Sequence, residues 1–180
     1  MKTYIAILRG INVSGRNIIK MDALRIMMIN EGFSNVTTYI QSGNIIFQYK
    51  KTAEEKIAHI ISGLILQHFS LSVPALVIKK DALIHIVENH PFLNKCKDDL
   101  SKIHVTLMSD NPGTLADNLP HDTYLPDEFC IEGKTVYLYC PNGYGNTKLN
   151  NTFFENKLKT TATTRNMKTM QELVNLSCNL

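Results

Sequence analysis

Two hairpin signals sit at matching places in the two halves of this 180-residue chain: VTTYIQSGNIIFQY (36–49) and DEFCIEGKTVYLYC (127–140). In each, two β-rich apolar runs flank a short polar break, the pattern of paired antiparallel strands. Each is preceded by an apolar run that reads as a strand, TYIAILR (3–9) and KIHVTLM (102–108). A helical segment follows each strand: residues 21–31, where Met21, Leu24, Met27 and Met28 recur at helical spacing before Gly32, and a brief one opened by Asn111-Pro112. After each hairpin comes another helix. The first starts at a capping-box pattern, Thr52-Ala-Glu-Glu55, with Ile57, Ile60, Ile61, Leu64 and His68 on one face, and the second covers 148–158. PALVIKK (74–80) and TTATTR (160–165) are the fourth strands, and DALIHIVEN and NMKTMQELVNL are trailing helices.

The order β-α-β-β-α-β therefore occurs twice. It predicts an α+β fold of two tandem ferredoxin-like subdomains packed together, residues 1–91 and 92–180, joined where PFLNKCKDDLS turns polar. A two-residue turn at Ser42-Gly43 sets Gln41 opposite Asn44, Ile40 opposite Ile45 and Tyr39 opposite Ile46. Thr38, Ile40, Ile45 and Phe47 then share a core-facing side, and Tyr39, Gln41, Asn44, Ile46 and Gln48 share a mixed one. A mixed face with an aromatic ring suits base stacking or coverage by the other subdomain; GNIIFQY lacks the aromatic octamer of RNA-recognition modules. A turn at Glu132-Gly133 sets Cys130 opposite Thr135.

Charge excludes little. The formal net charge is +3, with ten Lys and Arg against six Asp and Glu in residues 1–90 and nine against ten in 91–180. No basic tract accompanies that excess. Cys96, Cys130, Cys140 and Cys178 form no C-x-x-C, so free thiols in a reducing cytoplasm are expected. No apolar run reaches membrane-spanning length, and His59, His68, His85, His90, His104 and His121 make no metal-ligand spacing. No metal, cofactor or membrane is expected. The pairs Asp98-Asp99 and Asp127-Glu128 read as solvated loop carboxylates.

Three loops carry the chemistry. RGINVSGRN (9–17) has Gly10 and Gly15 spaced as in a phosphate-binding loop, but Arg16 and Asn17 stand where Lys and Ser/Thr are needed, and the helix starts several residues late. PNGYGNTKL (141–149) opens a helix with Thr147 as cap and Lys148 in its first turn. TATTRNMK (161–168) leads into the last helix with Asn166 as cap and Arg165 beside it. A cation at a helix N-terminus opposes the dipole unless an anion sits there too.

ILRGINVSGRN, TYIQSGNIIF, GYGNTKL and ATTRNMKTMQEL, in that order, resemble the bacterial family described as domain of unknown function 1697, from Tyr4 to Leu176. The resemblance implies tandem ferredoxin-like subdomains and no particular reaction. It picks out Arg9, Gly10, Asn12, Gly15, Tyr39, Gln41, Ser42, Gly43, Asn44, Lys148, Thr164, Arg165 and Asn166. Arg16 joins them as the cation where the family often has lysine; the family often has glycine where Ser14 stands and an aromatic residue where Met167 stands. The expected function is binding of an anionic small molecule or a nucleic acid in a basic cleft between the two subdomains, with Arg9 and Arg165 converging on it. Alternatives are an enzyme acting on an acidic or phosphorylated substrate in the same cleft, and a protein-interaction scaffold with no small ligand. Oligomeric state has no sequence signature.

Overall fold

The computed structural model describes residues 1–96, 99–120 and 122–180; Asp98 and His121 lie outside the described residues. It is an α+β protein with two four-stranded antiparallel sheets. The chain divides into two compact units, Met1–Ile84 with Glu172–Leu180, and His85–Gln171. The division falls a few residues before 91, and the last nine residues group with the first unit.

Unit 1 holds β1 (Lys2–Leu8), α1 (Met21–Asn30), β2 (Ser34–Tyr39), β3 (Asn44–Tyr49), α2 (Glu54–Phe69) and β4 (Ala75–Lys79), with α3 (Lys80–Glu88) straddling the division. Its strands run in the order β2-β3-β1-β4. Tyr4, Ala6 and Leu8 of β1 share a core with Ile45 and Phe47 of β3, with Leu24 and Met28 of α1, and with Ile57, Ile61 and Ile65 of α2. The α1 spacing is that read from the sequence; on α2 Ile57 and Ile61 are buried as expected, Ile60 and Leu64 only partly, His68 is exposed and Ile65 joins the core instead. A buried isoleucine at each of the three α2 positions stabilises by about 2 kcal/mol. α1 stops in a Schellman turn, with Gly32 N–H donating to Ile29 O and Phe33 N–H to Met28 O.

The capping box does not form. The N-cap of α2 is Ala53, without a side-chain cap, and Thr52 Oγ1 donates to Lys50 O. The Tyr4 hydroxyl takes over: it accepts from Thr52 N–H at 3.1 Å and donates to Thr52 O at 3.0 Å. A long-range partner from the central strand outcompetes the local box because Tyr4 is already fixed by the core.

Unit 2 repeats the order with β5 (Ile103–Met108), α4 (Thr114–Asp117), β6 (Glu128–Glu132), β7 (Thr135–Tyr139), α5 (Asn151–Leu158) and β8 (Ala162–Asn166), sheet order β6-β7-β5-β8. The last helix, α6 (Met167–Cys178), follows and ends among the residues grouped with unit 1. The unit 2 core centres on Val136, Leu138, Phe129, Phe154 and Leu158, with Phe129 edge-on to Phe154 at 6.1 Å between centroids.

Both hairpin registers differ from the sequence expectation by two residues. Tyr39 pairs with Asn44 and Thr38 with Ile45, so the first connection is the four residues 40–43. In the second, Glu132 pairs with Thr135 and Cys130 with Tyr137, so the turn is Gly133-Lys134. A two-residue slip preserves side-chain parity, so Ile45 and Phe47 are buried as expected, but Ile40 falls in the connection and is 50% exposed rather than core-facing. The mixed face of the first sheet is closed, since Asn44, Ile46, Ile5 and Ile7 are at most 1 % exposed. These four positions offer no open surface to a base, while Tyr39 and Gln48 on the same face are half-buried.

Candidate functional site

At the Leu8 end of the first sheet, residues 12–17 form a miniature β-ribbon. Asn12 N–H donates to Asn17 O, Val13 bridges Arg16, and Arg16 N–H donates to Val13 O. Ser14 (φ 50°) and Gly15 (φ 74°) occupy the two central positions, both left-handed as a type I′ turn requires. Helix α1 starts six residues after Gly15, at Met21. A phosphate-binding loop wraps its backbone around the anion and runs straight into a helix. This ribbon instead projects its glycine at the tip, so the shared glycine spacing has a different cause.

Asn12 ties the ribbon to the hairpin. Its Nδ2 donates to Gln41 O at 2.8 Å and to Ile19 O at 3.0 Å, and its Oδ1 accepts from Ile19 N–H at 2.9 Å. Asn17 Nδ2 closes the base of the ribbon on Gly10 O at 3.0 Å. Asn44, fully buried, donates from Nδ2 to Tyr39 O and Ser42 Oγ. Arg9 leaves β1 with its N–H on Pro74 O. Arg9, Gly10, Asn12, Gly15, Arg16, Tyr39, Gln41, Ser42 and Asn44 are therefore gathered at one end of unit 1.

Beside this platform lies a groove of about 470 Å³, lined by Lys20, Met21, Asp22, Ala23, Thr38, Ile40 and Gln41. It opens onto the first turn of α1, whose N-cap residue Lys20 provides no side-chain cap. Asp22 in that turn points towards Arg25, 4.0 Å away.

Lys148, Thr164, Arg165 and Asn166 lie in unit 2. Asn166 caps α6, its Oδ1 accepting from Thr169 N–H at 2.8 Å. Arg165 Nη1 donates to Thr163 Oγ1 and Thr164 O, and its pairing with Val105 puts it on the sheet face opposite Val136 and Leu138. The Thr164 hydroxyl donates to Asn151 Oδ1 and accepts from Thr106, tying β8 to α5. The cap of α5 is Asn150, which accepts from Phe153 N–H, and not Thr147, whose hydroxyl accepts from Leu149 N–H. Lys148 is exposed and precedes the helix. The nearer asparagine wins because its carboxamide oxygen reaches the N3 amide of the turn that actually starts at Asn151.

Nucleophile and metal chemistry gain no support here. The four cysteines are free, and burial raises the thiol pKa values of Cys96 and Cys130 and pushes that of Cys140 up to about 11. Such thiols are weak nucleophiles. Among the described residues no three His, Cys, Asp or Glu side chains form a metal-holding group, and no helix is long and apolar enough to cross a membrane.

The family described as protein of unknown function (DUF1697) matches residues 1–137. The chain belongs to the DUF1697 family. A similar solved structure is that of a conserved bacterial protein from Streptococcus pneumoniae, 19% identical, with a TM-score of 0.73 and 98% of each chain covered. Likeness at that identity speaks for the fold alone. No curated protein matches the chain.

In this DUF1697 protein the motif positions divide by what their atoms do. Asn12, Asn44, Thr164 and Asn166 spend side-chain polar atoms on internal hydrogen bonds, whereas Arg16 and Gln41 are exposed. Met167, where the family often carries an aromatic residue, is fully buried. Sequence reasoning missed Lys20 and Thr38, which only the groove brings together with Gln41. Asn12→Ala is expected to destabilise by about 2 kcal/mol, because it leaves the Gln41 and Ile19 carbonyls and the Ile19 amide without their partner. Limited proteolysis should then cut within residues 10–19 faster than in the parent; an unchanged cleavage rate would show that the tie is dispensable.

Proposed function

We propose that this protein is a cytoplasmic binder of a small anion carrying a phosphate or carboxylate group. In this reading it is built from two ferredoxin-like βαββαβ units that arose by duplication, each with the 2-3-1-4 strand order of that module. The observation that carries the anion reading is the groove at the uncapped start of α1. The first-turn N–H groups of a helix bear partial positive charge and lack intrahelical acceptors. Lys20 and Gln41 add a cation and an amide to the same opening, and the Asn12 tie holds the hairpin tip that bears Gln41 before any ligand arrives, which lowers the ordering cost of binding.

The test is a thermal-shift series with orthophosphate, sulfate and citrate. At least one should raise the parent's Tm, and Lys20→Gln should weaken its binding about tenfold, as loss of one charge-assisted contact of about 1.4 kcal/mol predicts. No shift with any anion, or an equal shift in Lys20→Gln, removes the reading. Arg9→Ala and Arg165→Ala, singly and together, show whether both arginines serve one ligand: coupled losses in affinity mean one site, additive or absent losses mean they do not share it.

A protein-interaction scaffold is the second reading, favoured by Val13, Ile18 and Ile40, which are 59%, 67% and 50% exposed. Ile18→Asp would then weaken self-association or partner capture while leaving anion binding unchanged.

A further inference from the structure

The opposite end of the first sheet carries a second cavity. It measures about 410 Å³ and is lined by Met1, Lys2, Thr3, Tyr4, Lys51, Lys79, Lys80 and Asp81. The seven residues of β1 rise about 3.3 Å each, so about 20 Å separates this end from the Arg9 loop.

The strand pairing explains why lysines meet here. Lys2 opens β1 opposite Tyr49, Lys79 ends β4 opposite Tyr4, and Lys51 follows β3 on the chain that the Tyr4 hydroxyl holds at Thr52. Lys80 starts α3. Glu54 occupies only one of the four: it accepts from Lys79 Nζ at 3.0 Å and from Lys79 N–H at 3.3 Å, and this carboxylate raises the Lys79 pKa. Lys2, Lys51 and Lys80 have no ion-pair partner among the described residues, and Asp81 is the one carboxylate in the lining.

We infer that this pocket binds the di- or triphosphate group of a small ligand. Several ammonium groups around one cavity repel each other, and a multiply charged anion placed among them removes that repulsion. A compact polyanion fits better than a nucleic-acid strand, because the cluster is confined to one cavity on a chain whose net charge is only +3. An ammonium reads phosphate as a point charge, so three lysines select charge density and not planar shape.

The experiment uses the full chain at low salt with orthophosphate, tripolyphosphate, ATP and a short single-stranded oligonucleotide. Tripolyphosphate at about twentyfold excess over its Kd should raise Tm by about 4 °C, and orthophosphate at the same concentration by far less. The triple variant Lys2→Gln, Lys51→Gln, Lys80→Gln exchanges side chains at the cavity's edge and should keep its ligand-free Tm within about 2 °C, as surface substitutions do, while losing the tripolyphosphate shift. Lys20→Gln, in the groove at the other end, should retain it. If ATP binds as tripolyphosphate does, the source is a nucleotide; if ATP is excluded, it is an inorganic or smaller polyphosphate. The proposal is overturned if tripolyphosphate gives no shift, if the triple variant keeps the full shift, if Lys20→Gln abolishes it, or if the oligonucleotide binds more tightly with a steeper salt dependence.

Discussion

Gly43→Ala is expected to destabilise the protein by about 3 kcal/mol, with Tm falling by roughly 6–12 °C. Gly43 sits at φ +77°, and a Cβ added there would stand 2.7 Å from both Leu8 Cβ and Ile11 Cδ1. Leu8 Cβ is fixed to its backbone and cannot withdraw, even if the end of the Ile11 side chain swings aside. Leu8 is fully buried and Ile11 is 2% exposed, and Leu8 N–H donates to Gly43 O at 2.8 Å, so backbone and side chain are both held. The left-handed backbone adds about 1 kcal/mol for any L side chain. Gly63→Ala supplies the contrast within the same unit. Gly63 lies in α2 with nothing within 4 Å of the added carbon, so helix propensity alone acts and stability should rise by about 0.5–1 kcal/mol. Urea melts of the two variants beside the parent decide the matter, and a Gly43→Ala protein as stable as the parent would refute the contact.

The second large effect is with pH. His104 is 7% exposed, stacks on Tyr144 at 4.8 Å between ring centroids, and has its imidazole pKa held down to about 4, chiefly by burial. His90, 3% exposed, shifts in the same direction, again by burial. His90 Nδ1 accepts from Phe92 N–H, which puts the proton on Nε2, where it donates to His104 O at 3.1 Å. Both rings are neutral in the fold. The unfolded chain takes up protons near pH 6.5 while the native His104 does not until about pH 4. Stability contributed by His104 is thus full above pH 6.5, falls as pH drops through that window, and levels off below about 4. The loss amounts to about 3 kcal/mol for a shift of this size. Unfolding free energies measured from pH 7 to pH 4.5 should decline accordingly, and His104→Gln should flatten the profile. The His104 ring proton followed by NMR gives a direct reading: a titration midpoint near 6.5 in the folded protein would contradict the buried, neutral ring.

Sequence determined what depends on local pattern. The spacing of Met21, Leu24, Met27 and Met28, and of Ile57 and Ile61, marked which helix faces would be buried, because a 3.6-residue period admits one apolar stripe, whereas the buried Ile65 was missed and the expected His68 is exposed. The doubled order of elements and the alternation in the hairpins yielded the strand count and which side of each strand faces the core, and that alternation survived the two-residue error in both registers. The motif positions at the end of unit 1 were also legible, since turn-forming residues cluster where strands end. Tertiary structure decided the rest. Register depended on where β1 pins the first hairpin and β5 the second, through pairs such as Ile7 with Asn44 that lie 37 residues apart and leave no local signature. Thr52 does not cap α2, whose preceding backbone is held at Thr52 by the long-range Tyr4 hydroxyl, and the cap of α5 went to Asn150 in place of Thr147, because Asn150 directly precedes the turn that starts at Asn151. The groove of Lys20, Thr38 and Gln41 and the four-lysine pocket join residues from separate elements, and only the folded sheet sets them side by side.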